Sequence, residues 1–201
     1  MSKGIEYIQK LKEAYTKYSF EKEWEHLENV SNGVSDSDRE RLLEEYPDIP
    51  ESLMEILNRI DGTYHRKYGE DKISYYFFGS DIDNGEYPYY LLSSSQMLET
   101  KDDPIKYYDY MINREFDDIP VSEEITNDIH NVKWLNFADC MNNGGTSQLF
   151  IDFSPSDKGK NGQIIRFIHD LDRLEVIADS FDDFLDMLIK NNFKFIHEDD
   201  F

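Results

Sequence analysis

The strongest constraint on what this chain can fold into is the order of apolar and turn-forming words in residues 134–188. Two β-prone runs, 149–153 and 164–168, flank a polar segment that holds Pro155, Gly159 and Gly162. Runs of that kind on either side of Gly and Pro predict a hairpin, with a loop longer than a tight turn needs. Residues 176–178 can add a third strand. Ser180 then stands where a helix cap is expected, and Phe181, Phe184, Leu185 and Leu188 follow at helical spacing. The expected class is α+β, a mainly antiparallel sheet flanked by helices from both ends of the chain.

Upstream, residues 3–19 predict an amphipathic helix with Ile5, Ile8, Leu11 and Tyr15 on one face. We read 1–23 as a helical extension, which either packs on its own domain or docks a partner. Trp24, Leu27 and Val30 continue the apolar spacing to Asn32-Gly33. Ser35 caps a second helix with Asp38 in the capping-box place, and Leu42, Leu43 and Tyr46 form its expected buried face. Pro47 stops it. Pro50 opens a further helix with Leu53, Met54, Ile56, Leu57 and Ile60, ended by Asp61-Gly62. Residues 73–78 and 87–92 predict strands, 93–100 and 102–112 short helices. The acidic stretch 117–131 holds Pro120 and a helical turn expected at 123–129. We see no linker or repeat, so the expected organisation is one domain over 24–192 with an acidic tail at 193–201.

Charge narrows the partners. The 201 residues carry 21 Lys and Arg against 43 Asp and Glu, a formal net charge of −22. Such a chain repels nucleic acid and anionic membrane, and it attracts a basic protein. Solubility alone is the plainer reading of the same number. No stretch approaches the roughly 20 apolar residues of a membrane helix. The charged, apolar-interrupted start does not read as a signal peptide, and the single Cys140 offers no internal disulfide, so a cytoplasmic location is expected.

Motifs of chemistry are sparse. No phosphate loop, dinucleotide fingerprint, zinc-helix or nucleophile-elbow pattern is present. Gly144-Gly145-Thr146-Ser147 reads as a turn before a strand. The acidic run from Asp81 to Glu86 fails the calcium-loop register, with glycine at the fifth position and Leu92 at the twelfth. His169, Asp170 and Asp172 stand close in sequence, but the other histidines have no ligand spacing to them. Cys140 reads as a small buried hydrophobe. Asp152 lies in a strand where alternation sets Leu149, Ile151 and Phe153 on one face and Phe150 and Asp152 on the other. Its expected role is a structural carboxylate for the loop before Gly162. Tyr75, Tyr76, Phe77, Phe78, Tyr87, Tyr89 and Tyr90 crowd two strands, so some must face away from the core. Tyrosine beside acids suits a grip on a cationic protein, and Asp81, Asp83, Glu86, Tyr87 and Tyr89 are the candidate contact residues. A second covered sheet face is the competing explanation.

Several of these words together resemble the SMI1/KNR4 family, the SUKH superfamily: WLNFA, LFIDFSP, GxxGQII, A-D-S-F-x-D-F-L, and Pro50-Glu51-Ser52-Leu53 between two helices. The residues that carry the resemblance include Trp134, Phe137, Gly145, Asp152, Pro155, Gly162, Ser180 and Phe181. The resemblance implies a non-enzymatic binding module without cofactor or metal. Bacterial relatives are mostly immunity proteins that neutralise polymorphic toxins, many of them nucleases; fungal relatives regulate cell-wall synthesis and signalling. The expectation is an immunity protein for a basic toxin, with a regulatory scaffold as the alternative. A hydrolase using Asp152 and His169 is the third reading.

Overall fold

The hairpin expected across residues 149–168 lies inside a six-stranded antiparallel sheet. The structure, a computed structural model, describes residues 2–80, 88–140, 147–169 and 172–196. Four helices come first: α1 (Lys3–Lys17), α2 (Glu21–Val30), α3 (Asp36–Glu45) and α4 (Glu51–Leu57). A small hairpin follows, β1 (Arg66–Tyr68) with β2 (Asp71–Ile73), then β3 (Tyr76–Gly79) and β4 (Pro88–Leu91). Three short helices, α5 (Ser94–Glu99), α6 (Asp103–Tyr107) and α7 (Asp109–Ile112), precede β5 (Trp134–Cys140). The chain ends with β6 (Ser147–Asp152), β7 (Gln163–Ile168), β8 (Arg173–Ala178) and α8 (Phe181–Lys190). Strands β3 to β8 lie side by side in sequence order.

Both faces of this sheet are apolar. Leu91, Leu135, Phe137, Leu149, Ile151 and Ile164 face the core built with α1, α2, α4 and α8. Trp134, Phe150, Ile165, Phe167 and Leu174 face a second core with Tyr108, Met111, Ile112 and Ile125. That is why β5, β6 and β7 are buried along their whole length, a pattern expected of strands covered twice. The alternation expected around Asp152 holds, with Leu149 and Ile151 on the first face and Phe150 on the second.

Helix α1 belongs to the first cover. Its buried positions are Gly4, Tyr7, Leu11, Ala14 and Tyr15. The inward stripe is therefore rotated from the expected one, and Ile5 and Ile8 flank it. The rotation follows from the tyrosines, whose hydroxyls find backbone partners: Tyr7 donates to the Phe77 carbonyl at 2.6 Å and Tyr15 to that of Tyr76 at 2.6 Å. Strand β3 is an edge, and these hydroxyls cover carbonyls that an edge would otherwise present to another chain.

Local signals hold where they are self-contained. Ser35 accepts from the Asp38 amide at 3.1 Å, and Ser180 from that of Asp183 at 3.1 Å. Pro50 occupies the cap position of α4 rather than its first turn. Leu43, expected inside, is 39% exposed because Leu42 alone takes the inward position of α3. The strand expected over 73–78 breaks into the end of β2 and the start of β3, since Ile73 pairs with Arg66 and Tyr76 with Tyr90.

The helical turn expected at 123–129 forms only at the end of that stretch, as a single 3-10 turn over Ile129–Asn131. The part before it is irregular, and Arg114 holds it. The guanidinium donates to the carbonyls of Ile112 (2.7 Å), Ser122 (3.1 Å), Ile125 (2.9 Å) and Thr126 (3.2 Å). One cation thus serves acceptors that a helix would have paired internally. Val121 adds a parallel bridge to Leu174 at the β8 edge. Arg114→Ala should cost about 2–3 kcal/mol. Hydrogen exchange should quicken in 117–131 while β5 to β7 stay protected; uniform exchange across both regions would contradict this role.

Candidate functional site

Register places one continuous row of side chains across the second face. Tyr76 pairs with Tyr90, Tyr90 with Asp139, Asp139 with Gln148, Gln148 with Phe167, and Phe167 with Leu174. The two ends of the row are covered differently. Tyr90 meets Tyr76 at 4.7 Å and Tyr64 at 5.4 Å between ring centroids, and Tyr64 in turn meets His65. At the other end the Tyr108 ring packs on Phe167 at 4.4 Å between centroids, tilted by 41°. Asp139 lies between these two covers.

Its environment is unusual for a carboxylate. Asp139 is 7% exposed. Oδ2 accepts from Gln148 Nε2 at 2.9 Å, and the Tyr108 hydroxyl fixes that amide by donating to Gln148 Oε1 at 2.5 Å. Oδ1 has no hydrogen-bond donor. Burial pushes the Asp139 carboxyl up to about 6, against the pull of Gln148 and the Cys140 amide and with help from the negative charge of Asp103. Asp103 itself is raised by burial. On the same face Asn136 is fully buried, and neither its amide oxygen nor its amide nitrogen bonds a protein group.

The cover beside Asp139 is amphipathic on its outer surface. Ile105 (45% exposed), Tyr107 (62%) and Phe116 (53%) stand out from α6 and the turn after α7. Asp102, Asp109, Glu115, Asp117 and Asp118 are exposed among them.

The residues expected from sequence to contact a partner fare unevenly. Asp81, Asp83, Glu86 and Tyr87 lie outside the described residues. Tyr89 is corrected: it is fully buried in the first core, and its outward neighbour is Tyr90, half-buried. The alternation was legible, but which of the two tyrosines faces out depends on which face the helices of the first core cover.

Among the residues that carry the family words, Trp134 and Phe137 enter opposite cores and Phe181 docks α8. Gly145 lies outside the described residues. Gly162 has φ +87°, and its amide donates to the Asp152 carbonyl at 2.7 Å. Pro155 lies in the loop between β6 and β7. Asp152 is fully buried and fully served: Oδ1 accepts from the Ser154 amide at 2.8 Å and its hydroxyl at 3.2 Å, and Oδ2 from Gln163 Nε2 at 2.9 Å. Asp152 and His169 do not come together. Asp152 ends β6, whereas the His169 amide bonds Ser147 at its start. Five residues of strand separate them, roughly 17 Å. Asp170 lies outside the described residues.

Sequence reading missed Asp139, Asn136 and Arg166. The last is a fully buried cation paired with Glu175 at 2.6 Å. Among the described residues no group of three or more His, Cys, Asp or Glu side chains is placed to hold a metal. No described helix is long and apolar enough to cross a membrane.

These features define an α+β module whose unusual chemistry lies on a covered sheet face. The chain belongs to the SMI1 / KNR4 family (SUKH-1), whose model matches residues 33–187. That span takes in α3 and every strand of the large sheet, and it begins after α1 and α2. The family is one of protein-interaction and immunity-type modules, generally without enzymatic activity, and its domains are associated with protein partners. A search of curated proteins finds no match.

The Asp139 environment has a thermodynamic consequence. Its carboxyl keeps a proton to about pH 6 when folded and releases it near 3.9 when unfolded. The folded state binds more protons between those values, so this group lowers stability as pH rises through that window. Asp139→Asn should therefore gain roughly 2 kcal/mol on the parent between pH 4 and pH 7. Denaturant melts at the two pH values measure this; a constant difference would contradict it.

Proposed function

We propose that this chain is an immunity protein that binds and blocks a basic toxin domain in the cytoplasm. The observation that carries the reading is the cover over the second sheet face. Ile105, Tyr107 and Phe116 are exposed in a segment whose exposed acids, Asp102, Asp109, Glu115, Asp117 and Asp118, outnumber its exposed cations, Lys101 and Lys106. Aromatic anchors supply contact area, and surrounding acids steer a cationic partner and reject an anionic one. The overall charge of −22 extends the same field beyond the patch. A nuclease toxin fits this partner, because a groove that binds phosphates must be basic.

A scaffold docking through its N-terminal helix is less well served. The apolar side of α1 is spent on Tyr7, Leu11, Ala14 and Tyr15 in the first core.

Co-expression with a basic toxin domain encoded beside this gene should rescue growth, and the two purified proteins should form a complex. Its association rate should fall roughly tenfold as salt rises from about 0.05 to about 0.5 M. Tyr107→Ala should weaken the complex by about 1–2 kcal/mol with little change in the free protein's stability. No rescue and no complex, or binding indifferent to salt and to Tyr107, would overturn the reading.

A further inference from the structure

A continuous chain of hydrogen bonds ties the Asp139 carboxylate to the helical cover of the second face. Tyr108 joins α6 to α7, and its ring packs against Phe150 and Phe167. Its hydroxyl donates to Gln148 Oε1 at 2.5 Å, and Gln148 Nε2 donates to Asp139 Oδ2 at 2.9 Å. Oδ1 of Asp139 is buried without a hydrogen-bond partner. The closed cover therefore holds a carboxylate of which one oxygen is neither solvated nor paired, and charging such a group is costly.

The groups that face Asp139 do little to offset that cost. From α6 comes Asp103, itself paired with Lys106 at 3.8 Å, and its negative charge opposes ionisation. The junction of α6 and α7 brings Tyr108, whose own hydroxyl is held protonated by burial and by the charge of Asp139. Strand β4 brings Tyr90, the cross-strand neighbour. Tyr64, before β1, also feels the charge of Asp139. Strand β6 supplies the neutral amide of Gln148, and β5 itself the Cys140 amide.

The cover is also built to part from the sheet. Helices α6 and α7 have five and four residues, too few to be stable alone. Their buried positions are Pro104, Met111 and Ile112, with Tyr108 between them. Elements of this kind open locally at less cost than global unfolding.

We propose that Asp139 is a proton-operated latch on this cover: protonated, it keeps α6 and α7 against the sheet, and ionised, it favours their release. Release lifts Tyr108 from Gln148 and brings water to the carboxylate. Closed, the carboxyl keeps its proton to about pH 6. Opened to water, it titrates near the ordinary value of about 3.9. The closed state binds more protons between those values, so closure is tightest below about pH 4 and weakens as pH rises through 6. Taken across both midpoints, the opening equilibrium should rise roughly fiftyfold between pH 4 and pH 7. Ile105 and Tyr107 stand on α6, so the latch sets how firmly that exposed surface is held. It belongs to the free chain and needs no partner.

Amide hydrogen exchange in the full chain, followed by NMR from pH 4 to pH 7, tests the latch. Protection factors remove the intrinsic pH dependence of exchange. The reporters are the amides of Tyr108, Met111, Ile112 and Asn113, which bond carbonyls within the cover. They should be less protected than amides of β6, and their protection should fall roughly fiftyfold over this range. Asp139→Asn should abolish the fall and keep the acid level of protection at pH 7. Asp103→Asn, which removes the opposing charge on α6, should move the fall to lower pH, and the exposed control Asp157→Asn should leave it in place. Reporter protection that is flat with pH, a fall that persists in Asp139→Asn, or reporters as protected as β6 would each overturn the proposal. Should Asp139→Asn fail to fold, Asp103→Asn decides, and a fall unmoved in that variant would overturn it.

Discussion

A sheet that is apolar on both faces must be covered twice, and the rest of the molecule follows from that. The first cover comes from the two ends of the chain, α1, α2 and α4 from one and α8 from the other. The second has to come from what remains between β4 and β5, which is the stretch holding α6, α7 and the irregular segment after them. Each large side chain under that cover contributes about 1.5–3 kcal/mol by burial. A domain with a net stability of about 5–15 kcal/mol cannot leave Trp134, Phe150 and Phe167 wet. The acidic middle region is therefore structural on its inner side, pinned by Arg114 and by the Val121 bridge. Its outer side is free to carry acids and exposed aromatics.

Asp139 and Asp152 show how two buried carboxylates part ways. Both lie on the second face, and burial raises both carboxyls. Asp152 receives donors on both oxygens and ties the β6–β7 loop to the sheet. Asp139 receives one side-chain donor, on Oδ2, and lies where the tyrosine cover and the helical cover meet. A carboxylate that is completely paired is a structural part. One that is held in place and left half paired keeps its proton to a higher pH.

What was legible in the sequence was local. Ser35 and Ser180 cap helices because the cap and its amide are three residues apart, and the α8 stripe reads off a single helix. The sheet's last three strands and their antiparallel order were legible because turn residues separate short apolar runs. The rest depended on tertiary facts. The word RKY is too short and too charged to announce β1. Arg114 serves carbonyls up to 12 residues away, and nothing in its neighbours marks it. Asp139 sits in WLNFADC as one acid among many, and the register shift that turns it toward Asn136 is visible only once β5 pairs with β6. The choice between Tyr89 and Tyr90 likewise needed the covers, since alternation alone separates two faces without saying which is filled.

The central claim is that Asp139 is a buried, half-paired carboxylate on the second face, where the tyrosines and the helical cover meet. A ¹³C NMR titration of the side-chain carboxyls in the folded chain tests it most directly. The account predicts an Asp139 midpoint near 6. A midpoint near the ordinary value of about 3.9 would mean the carboxylate is solvated or fully paired, and would contradict the account.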